Sequence, residues 1–317
     1  MGGTLWDDDF YKEREVVRAK TGKSAFIHND AVKAKPRDEQ HTHEKMNPLG
    51  VTRESRDSAA HPNSIAIGVI FDVTGSMGRI PVGLQKKLPA LMGTINDRHY
   101  IADPQILMGA VGDATCDRGS IQIGQFESGI EVDDDLGRMW IEEGGGGNIH
   151  ESYQNAIYFF ARHTSCDCWE KRGKKGYLFL MGDELPYDVV SKSEVRTLFG
   201  DTLQEDIPLQ DIVREAQERW NIFFIIPMGA THARDPQIFR RWAEVLGEDH
   251  VLQLSNPDGV CETITMAIGI NEGTVNIEKA QDDLSTAGSK AAHVNAAAAS
   301  LNRLAEKHGA VGRTLRL

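Results

Sequence analysis

The feature that most constrains the fold is an apolar run at residues 65–71 that ends in a polar turn. The run is rich in Ile and Val and apolar on both faces, which is typical of a central strand in a parallel sheet. Asp72 ends it, and Thr74 and Ser76 follow at alternate positions. Ligands bind at the carboxyl ends of strands in open α/β sheets. Three oxygen donors on one tight turn therefore predict a site for a hard cation such as Mg²⁺.

Strand-like and helix-like stretches alternate from residue 64 to about residue 271. Largely apolar runs at 105–113, 177–184 and 221–228 predict further buried strands, the second of which ends in an acid, and the alternating residues 121–126 predict a short edge strand. This order of elements predicts an α/β fold with a doubly wound, mostly parallel central sheet. Helices are expected on both faces of the sheet, with one antiparallel strand at its edge.

Local signals predict several helices within this region. Residues 82–95 carry apolar side chains at helical spacing, and Pro89 is expected to kink that helix. Residues 133–143 are also predicted to be helical. Glycines at 144–147 precede a further helical stretch, in which Glu151 is interpreted as an acid of the first turn rather than as a ligand.

Composition divides the chain into three parts. Residues 1–63 are polar and lack a persistent helical or strand period, which favours an extended arm that is disordered alone or ordered by lying on another surface. Residues 64–271 hold the predicted α/β domain. Residues 272–317 form an Ala-rich tail, predicted to be helical with a break near Gly288 and to pack against the domain or a partner.

The turn Phe-Asp-Val-Thr-Gly-Ser-Met-Gly at residues 71–78 resembles the first loop of the metal-ion-dependent adhesion site (MIDAS) of von Willebrand factor A (VWA) domains. In that family three loops at one sheet edge hold a divalent cation, which binds an acidic residue of a partner protein. The resemblance implies a Rossmann-like VWA fold and a protein-interaction module that is not an enzyme. Asp72, Thr74 and Ser76 match the first loop, and Asp183 matches the acid of the third.

The second loop departs from the family pattern, because Gly147 stands where the metal-binding Thr is usually found. Asn148 could supply an oxygen instead, or water could fill that position. The middle loops are more similar to the VWA branch associated with alpha-kinases, whose loop also lacks the Thr, and Glu151 matches the Glu of its pattern. The implied metal ligands are Asp72, Thr74, Ser76, Asp183, Asn148 and Asp113, around Mg²⁺ with Mn²⁺ or Ca²⁺ as alternatives.

Charge and cysteine usage exclude several other classes of protein. The formal net charge of −12 argues against a nucleic-acid-binding surface. No apolar run approaches the roughly 20 residues that a membrane-spanning helix needs. The four cysteines do not suggest a disulfide framework in a chain of this length, and the spacing of Cys166 and Cys168 does not suit a structural zinc site. Free thiols are expected in a reducing compartment, either the cytoplasm or a virion assembled there.

Three functions remain open at this stage. The first is a MIDAS module that binds an Asp or Glu carboxylate of a partner, as part of a larger assembly with an ATPase of the MoxR type or with virion proteins. The second is a structural assembly protein with a degenerate metal site, which Gly147 favours. The third is a metal-dependent phosphoesterase, for which His150, Glu151 and Glu184 are candidate bases or nucleophiles.

Overall fold

The computed structural model describes residues 5–22, 26–78, 80–87, 89–144 and 147–314. Within them the chain forms twelve strands and fourteen α-helices. The strands are β1 (Arg53–Ser55), β2 (Ile65–Asp72), β3 (Pro104–Val111), β4 (Ile121–Ile123), β5 (His150–Glu151), β6 (Thr164–Cys166), β7 (Gly176–Met181), β8 (Leu185–Pro186), β9 (Val189–Val190), β10 (Ile207–Pro208), β11 (Trp220–Pro227) and β12 (Val251–Leu254). The helices are α1 (Asp8–Thr21), α2 (Ile27–Lys33), α3 (Ile80–Lys87), α4 (Pro89–Arg98), α5 (Glu131–Arg138), α6 (Tyr153–Arg162), α7 (Asp167–Glu170), α8 (Lys192–Leu198), α9 (Leu209–Gln217), α10 (Pro236–Leu246), α11 (Val260–Asn271), α12 (Ile277–Thr286), α13 (Ala291–Ser300) and α14 (Asn302–Thr314).

Six strands form the central sheet in the order β12-β11-β7-β2-β3-β4. Neighbouring strands are parallel except β3 and β4, which run antiparallel. Counted along the chain, this is the order 3-2-1-4-5-6 of a doubly wound, Rossmann-like sheet. The topology confirms the predicted mostly parallel sheet with one antiparallel edge strand.

The central strand β2 lies where the strand order reverses, with β3 on one side and β7 on the other. Every residue of β2 is buried, as expected for a strand that is covered on both faces. Phe71 of β2 pairs with Met181 of β7, so the carboxyl ends of these two strands adjoin. Ligand sites of doubly wound sheets form at such a switch point.

The helices pack in two groups on the two faces of the sheet. On one face α4 contacts α11, and on the other α6 contacts α9. The close approach of α6 depends on Gly68 of β2, because a Cβ there would lie 2.3 Å from the ring of Phe160. This packing confirms the predicted arrangement of helices on both faces.

One predicted helix is wrong in extent, and another is described on both sides of a gap. Residues Ile80–Lys87 and Pro89–Arg98 are helical, which agrees with the helix predicted over residues 82–95. Residue 88 lies outside the described residues, so the kink expected at Pro89 stays a prediction. The apolar positions of this segment that lie at residues 84 and 88 fall outside the described side chains.

The helix predicted over residues 133–143 covers Glu131–Arg138 instead. The side chain of Gln122 in β4 accepts a hydrogen bond from the backbone N–H of Trp140 and donates one to its carbonyl, both at 2.8 Å. Asn29 accepts a third from the N–H of Ile141 at 3.0 Å. These hydrogen bonds hold the backbone after α5 in an extended conformation. The helical spacing of the apolar residues gives no indication of them.

The N-terminal segment is helical where the sequence showed no persistent period. Asp7 caps α1, and buried Tyr11 turns toward the domain. The guanidinium of Arg18 donates to both carboxylate oxygens of Asp133, at 2.9 and 2.6 Å, and Arg14 donates to the same carboxylate at 3.1 Å. The segment is therefore ordered against α5, and the division of the chain at residues 63 and 271 stays a prediction.

The C-terminal tail forms three helices, with a turn at Gly288 (φ +89°) between α12 and α13. Its α13 packs on α11 and on the edge strand β12. The expected helical tail with a break near Gly288 matches this arrangement. Among the described residues, no helix is both long enough and apolar enough to cross a membrane.

Candidate functional site

The polar turn after β2 and the acid after β7 meet at the switch point of the sheet. Asp72 is the last residue of β2, and Asp183 lies two residues beyond the end of β7. Both side chains are fully buried. Adjacent parallel strands thus bring together two acids that lie far apart in the sequence.

The first loop arranges its three oxygen-bearing side chains around one turn. Asp72 Oδ1 accepts hydrogen bonds from the backbone N–H of Thr74 at 2.8 Å and from its hydroxyl at 2.5 Å. Thr74 Oγ1 and Ser76 Oγ are 3.2 Å apart. Residues Gly75–Met77 form a single 3₁₀ turn, which points these hydroxyls to the same side as the Asp72 carboxylate.

The Ser76 hydroxyl connects the first loop to the third. It donates to Asp183 Oδ1 at 2.8 Å, and the backbone N–H of His232 donates to Asp183 Oδ2 at 2.6 Å. Thr231 donates its hydroxyl to the Ser76 carbonyl at 2.9 Å. The predicted residues Asp72, Thr74, Ser76 and Asp183 therefore form one connected group. The sequence analysis did not predict the hydrogen bonds from residues 231–232, which follow β11. Polar residues after a central strand at this edge of the sheet could have indicated them.

Tyr153 is a second component that sequence reasoning missed. It is fully buried, and its hydroxyl donates to Asp72 Oδ2 at 2.9 Å. Its ring contacts Phe224 and Trp242, each with centroids 5.3 Å away. Gly182 makes room for it, since a Cβ there would lie 1.8 Å from the Tyr153 hydroxyl. In the sequence, an aromatic residue of an amphipathic helix cannot be told from an ordinary core residue. The glycine directly before Asp183 was the only local sign that another side chain approaches this acid.

Several carboxylate groups lie close together in the site, and their charges raise one another's pKa values. Burial raises the pKa of Asp72 to about 7, against the hydrogen bonds from Thr74, and the charges of Glu184 and Asp183 raise it further. Burial, then the charges of Asp72 and Glu184, raise the pKa of Glu151 to about 11. Burial also raises the pKa of Glu184, although His232 lies 3.8 Å from its carboxylate.

Glu151 occupies a different element from the one predicted. It lies in β5, which pairs with β8, and α6 begins two residues later at Tyr153. It is therefore not an acid of the first helical turn. Its side chain is only 2% exposed, and its Oε2 has no hydrogen-bond partner. A buried carboxylate oxygen without a hydrogen-bond donor is unfavourable when charged, and a bound cation or a proton would stabilise it.

Asp113 and Asn148 form a separate polar cluster. Asn148 donates to Asp113 Oδ2 at 3.2 Å, and the hydroxyl of Tyr187 lies 3.0 and 3.1 Å from the two oxygens of Asp113. Burial alone would raise the pKa of Asp113, but donors from Thr115, Asn148 and Tyr187 hold it below its usual value. The part these two residues have in metal binding stays a prediction.

The second loop is described only in part. Gly145 and Gly146 lie outside the described residues. Gly147 has φ +72°, with open space where a Cβ would point. The side-chain Oδ1 of Asn148 accepts a hydrogen bond from the backbone N–H of His150 at 2.9 Å, and the ring of His150 stacks on that of Tyr187 with centroids 5.2 Å apart. Among the described residues 147–151, no side chain carries a hydroxyl group like the one that the family pattern has at the position of Gly147.

The donor set fits a hard divalent cation. Asp72 and Asp183 supply carboxylate oxygens, Thr74 and Ser76 supply hydroxyls, and the surrounding acids leave negative charge that a cation would neutralise. Among the described residues, no group of three or more His, Cys, Asp and Glu side chains is arranged to hold a metal ion. A site in this place depends on the two hydroxyls in addition to the carboxylates.

Comparisons with known proteins find similarity of fold. No family model and no curated protein matches the sequence. Among solved structures, proximal thread matrix protein 1 from the mussel byssus is 10% identical with a TM-score of 0.42, covering 69% of this chain and 48% of that one. The pilus adhesin SpaC from Lactobacillus rhamnosus GG is 10% identical with a TM-score of 0.45, covering 73% of this chain and 34% of that one.

A further structure of the mussel protein has a zinc-occupied MIDAS motif; it is 10% identical with a TM-score of 0.41. This chain spans less than half the length of these proteins. At these identities and TM-scores the likeness carries no conclusion about the family or the role of this chain. The resemblance to VWA domains and to their alpha-kinase-associated branch stays a prediction.

Proposed function

We propose that this chain is a protein-interaction module that binds a divalent cation, preferably Mg²⁺, and through it an Asp or Glu carboxylate of a partner protein. The observation that carries the proposal is the hydrogen bond between Ser76 and Asp183 at the switch point of the sheet. It brings the hydroxyls of the first loop and the acid of the third into one group, as a MIDAS requires. The module is not proposed to be an enzyme.

The chain's own residues hold this group in place. Thr74 and Tyr153 fix the two oxygens of Asp72, and the N–H of His232 fixes one oxygen of Asp183. The cation, when bound, would supply positive charge to these oxygens and an open coordination position for an outside carboxylate.

The approach to the site is open on the side of Ser76. Asp72 and Asp183 are fully buried and Thr74 nearly so, whereas Ser76 is partly exposed. Ser76 lines a groove of about 390 Å³, whose other walls include Met77, Ile80 and Pro257. A partner carboxylate would reach the cation from this groove. ATPases of the MoxR type and virion proteins are the partners we propose.

Metal titration tests the proposal directly. Calorimetry with Mg²⁺ and Mn²⁺ is expected to show one bound cation per chain in the wild-type protein, and binding lost in Ser76→Ala. Thr115→Ala is the matched control, because it removes a hydroxyl that lies 3.5 Å from the Tyr187 hydroxyl in the Asp113 cluster, and it should leave binding unchanged. A wild-type chain that binds neither metal would contradict the proposal.

The partner step needs its own measurement. Proteins retained from a native extract by the immobilised chain are compared with Mg²⁺ and with chelator. We expect metal-dependent retention of a specific partner that Ser76→Ala loses. Retention that persists in chelator would show that the cation has no part in recognition.

One observation favours a structural assembly protein with a degenerate site as the second candidate. Each carboxylate oxygen of Asp72 and Asp183 already accepts a hydrogen bond from the chain, and Gly147 offers no hydroxyl. The loops are thus held together without a cation. Absence of metal binding in the titration, with an intact fold, would favour this candidate.

A further inference from the structure

The segment at residues 139–144, here called the linker, follows α5 and reaches the turn after β2 that holds the first three predicted metal ligands. Its last two residues bond to that turn through the backbone. The N–H of Glu143 donates to the carbonyl of Val73 at 3.3 Å, and the N–H of Gly75 donates to the carbonyl of Gly144 at 2.9 Å. Val73 and Gly75 alternate with the three ligands along the chain, so the linker holds the backbone that carries them.

The linker is confined where it meets this turn. A Cβ at Gly75 would lie 3.4 Å from the carbonyl oxygen of Gly144, and a Cβ at Gly144 would lie 2.1 Å from Oδ1 of Asp117. Glu143 has φ +56°, a backbone conformation that residues other than glycine seldom adopt. Such a conformation persists only where the surrounding contacts enforce it. The path of the linker beside the turn therefore depends on the contacts that hold its other residues.

The N-terminal helix α2 supplies one of these contacts. Oδ1 of Asn29 accepts a hydrogen bond from the backbone N–H of Ile141 at 3.0 Å, and both residues are buried. Without this acceptor, the N–H of Ile141 would lose a buried hydrogen bond, which is costly. Lys33, one turn further along α2, lies 3.0 Å from the carboxylate of Glu143, but these side chains are 38% and 60% exposed. An exposed pair of this kind contributes little, so Asn29 is the contact that matters.

The neighbouring residues of the linker are held by the sheet and its loops. Gln122 of β4 bonds to the backbone of Trp140. The carboxylate of Glu142 accepts from the backbone N–H groups of Arg118 and Gly119, at 3.0 and 2.8 Å. Asn29 differs from these anchors because it belongs to the N-terminal segment, outside the predicted α/β domain. The position of α2 can therefore influence the linker independently of the sheet.

We propose that Asn29 is a positioning residue for the candidate metal site, through which α2 keeps the site in its cation-binding conformation. The proposal rests on the function proposed above. Asn29 holds the linker at Ile141, the linker holds the backbone at Val73 and Gly75, and that backbone directs the ligand hydroxyls. Displacement of α2 from the domain would therefore weaken cation binding. Because such coupling is reciprocal, a bound cation would in turn stabilise the docked position of α2.

Amide hydrogen exchange in the metal-free protein tests the positioning step by itself. Asn29→Leu removes the acceptor at similar volume, so the amides of Gly75 and Glu143 should exchange at least about tenfold faster than in the wild type. Asn29→Asp keeps an acceptor oxygen in place and should restore slow exchange. Gln105→Leu is the matched control, because it removes a buried amide that donates to the Arg56 carbonyl at 2.9 Å, at the opposite end of the sheet. Unchanged exchange in Asn29→Leu, or equal acceleration in Gln105→Leu, overturns the proposal.

Calorimetry with Mn²⁺ measures the consequence for the site. Asn29→Leu should bind about fivefold more weakly than the wild type, which is less than the tenfold or more expected when a direct partner of a metal ligand is lost. Asn29→Asp and Gln105→Leu should bind as the wild type does. Wild-type affinity in Asn29→Leu overturns this proposal and leaves the proposed function standing. A wild-type chain that binds no cation contradicts the proposed function, whereas the exchange of Gly75 still shows whether Asn29 positions the turn.

The reciprocal effect can be measured without any substitution. In the wild-type protein, saturating Mg²⁺ should slow the exchange of the Ile141 amide at least about threefold, because the cation stabilises the conformation in which Asn29 accepts from it. The exchange of the Gln105 amide in β3 serves as the internal reference. Bound Mg²⁺ that leaves the exchange of Ile141 unchanged would show that α2 and the site are not coupled, and would overturn the proposal.

Discussion

At the amino end of the central sheet carboxylates are paired with basic side chains, whereas at the carboxyl end they crowd against one another. Asp57 lies 2.7 Å from Arg172, and Asp167 lies 3.0 Å from Arg56 and 2.7 Å from Lys171. Burial alone would raise the pKa of Asp57 and of Asp167, but these partners hold both below their usual values. This end of the molecule contains its own counter-charges.

The carboxyl end has the opposite balance. The pKa values of Asp72, Glu151 and Glu184 are all raised, and burial is the largest cause in each case. Neighbouring charges raise them further: those of Glu184 and Asp183 act on Asp72, those of Asp72 and Glu184 on Glu151, and that of Asp183 on Glu184. The same type of side chain thus responds in opposite directions at the two ends of one sheet. Among the described residues, the only basic partner of these acids is His232, which lies 3.8 Å from Glu184, whereas the acids at the amino end are paired with Arg and Lys side chains. A bound divalent cation would supply further positive charge at the carboxyl end.

The largest effect is expected from removing one charge at each end. Asp72→Asn should weaken Mn²⁺ binding by at least about 100-fold, because even residues behind a metal ligand can account for such a factor. Asp57→Asn removes a partly exposed charge at the amino end and should leave Mn²⁺ affinity unchanged. Calorimetry measures both. Equal losses in the two variants would break the distinction between the two ends.

The second effect concerns two glycines, one in β2 and one directly after β7, that leave space for aromatic side chains. Gly182→Ala places a Cβ 1.8 Å from the Tyr153 hydroxyl, which should displace the donor to Asp72 and abolish tight Mn²⁺ binding. Gly68→Ala places a Cβ 2.3 Å from the Phe160 ring, away from the acids. Each overpacking should lower the free energy of unfolding by about 1–3 kcal/mol in urea titrations. Only Gly182→Ala should lose the metal, and tight binding in that variant would refute the positioning role of Tyr153.

The third effect isolates a single hydrogen bond. Tyr153→Phe removes the donor to Asp72 Oδ2 and should weaken Mn²⁺ binding about tenfold, because that carboxylate loses a partner that orients it. Tyr187→Phe removes a donor to Asp113 in the neighbouring cluster and should have little effect. Comparable losses of affinity in the two variants, measured by calorimetry, would instead place Asp113 among the ligands.

The smallest effect is a pH dependence at the amino end. Because the pKa of Asp57 is lowered in the folded chain, its charge stabilises the fold above the unfolded pKa of about 3.9, and this stabilisation is lost as the pH falls through the folded pKa. Asp57→Asn should therefore lose less stability on acidification below about pH 4, by about 1 kcal/mol or less for a partly exposed pair. Asp188→Asn, in a largely exposed ion pair, is the control. Unfolding titrations across that range measure the difference, and identical acid profiles for Asp57→Asn and wild type would contradict it.

The fold and half of the candidate site were accessible from the sequence because they depend on local patterns. The apolar run before Asp72 predicted a central strand, and the acid at Asp183 ended a second one. The switch point then placed both at one edge without further information. Tyr153 and Gly182 were not accessible in this way, because their contact joins α6 to the end of β7 across the core.

The errors have the same physical origin. The helix expected over residues 133–143 ends at Arg138 because the amide of Gln122, in another strand, takes the backbone groups of Trp140. Conversely, α1 has local signals that the composition obscured: Asp7 caps its start, and Gly22 ends it with φ +63°. Side-chain contacts with distant parts of the chain determine the conformation of such segments, and these contacts cannot be inferred from the periodicity of apolar residues alone.

The C-terminal helix α13 packs closely against a segment that also lines the groove beside Ser76. A Cβ at Gly259 would lie 2.9 Å from the carbonyl oxygen of His293 in α13, so the two backbones touch. Pro257 and Asp258, just before Gly259, form the far wall of the groove. A protein that grips the tail and draws α13 outward would therefore move that wall. Mechanical tension on the C-terminal helices would in this way change how firmly the groove holds its occupant.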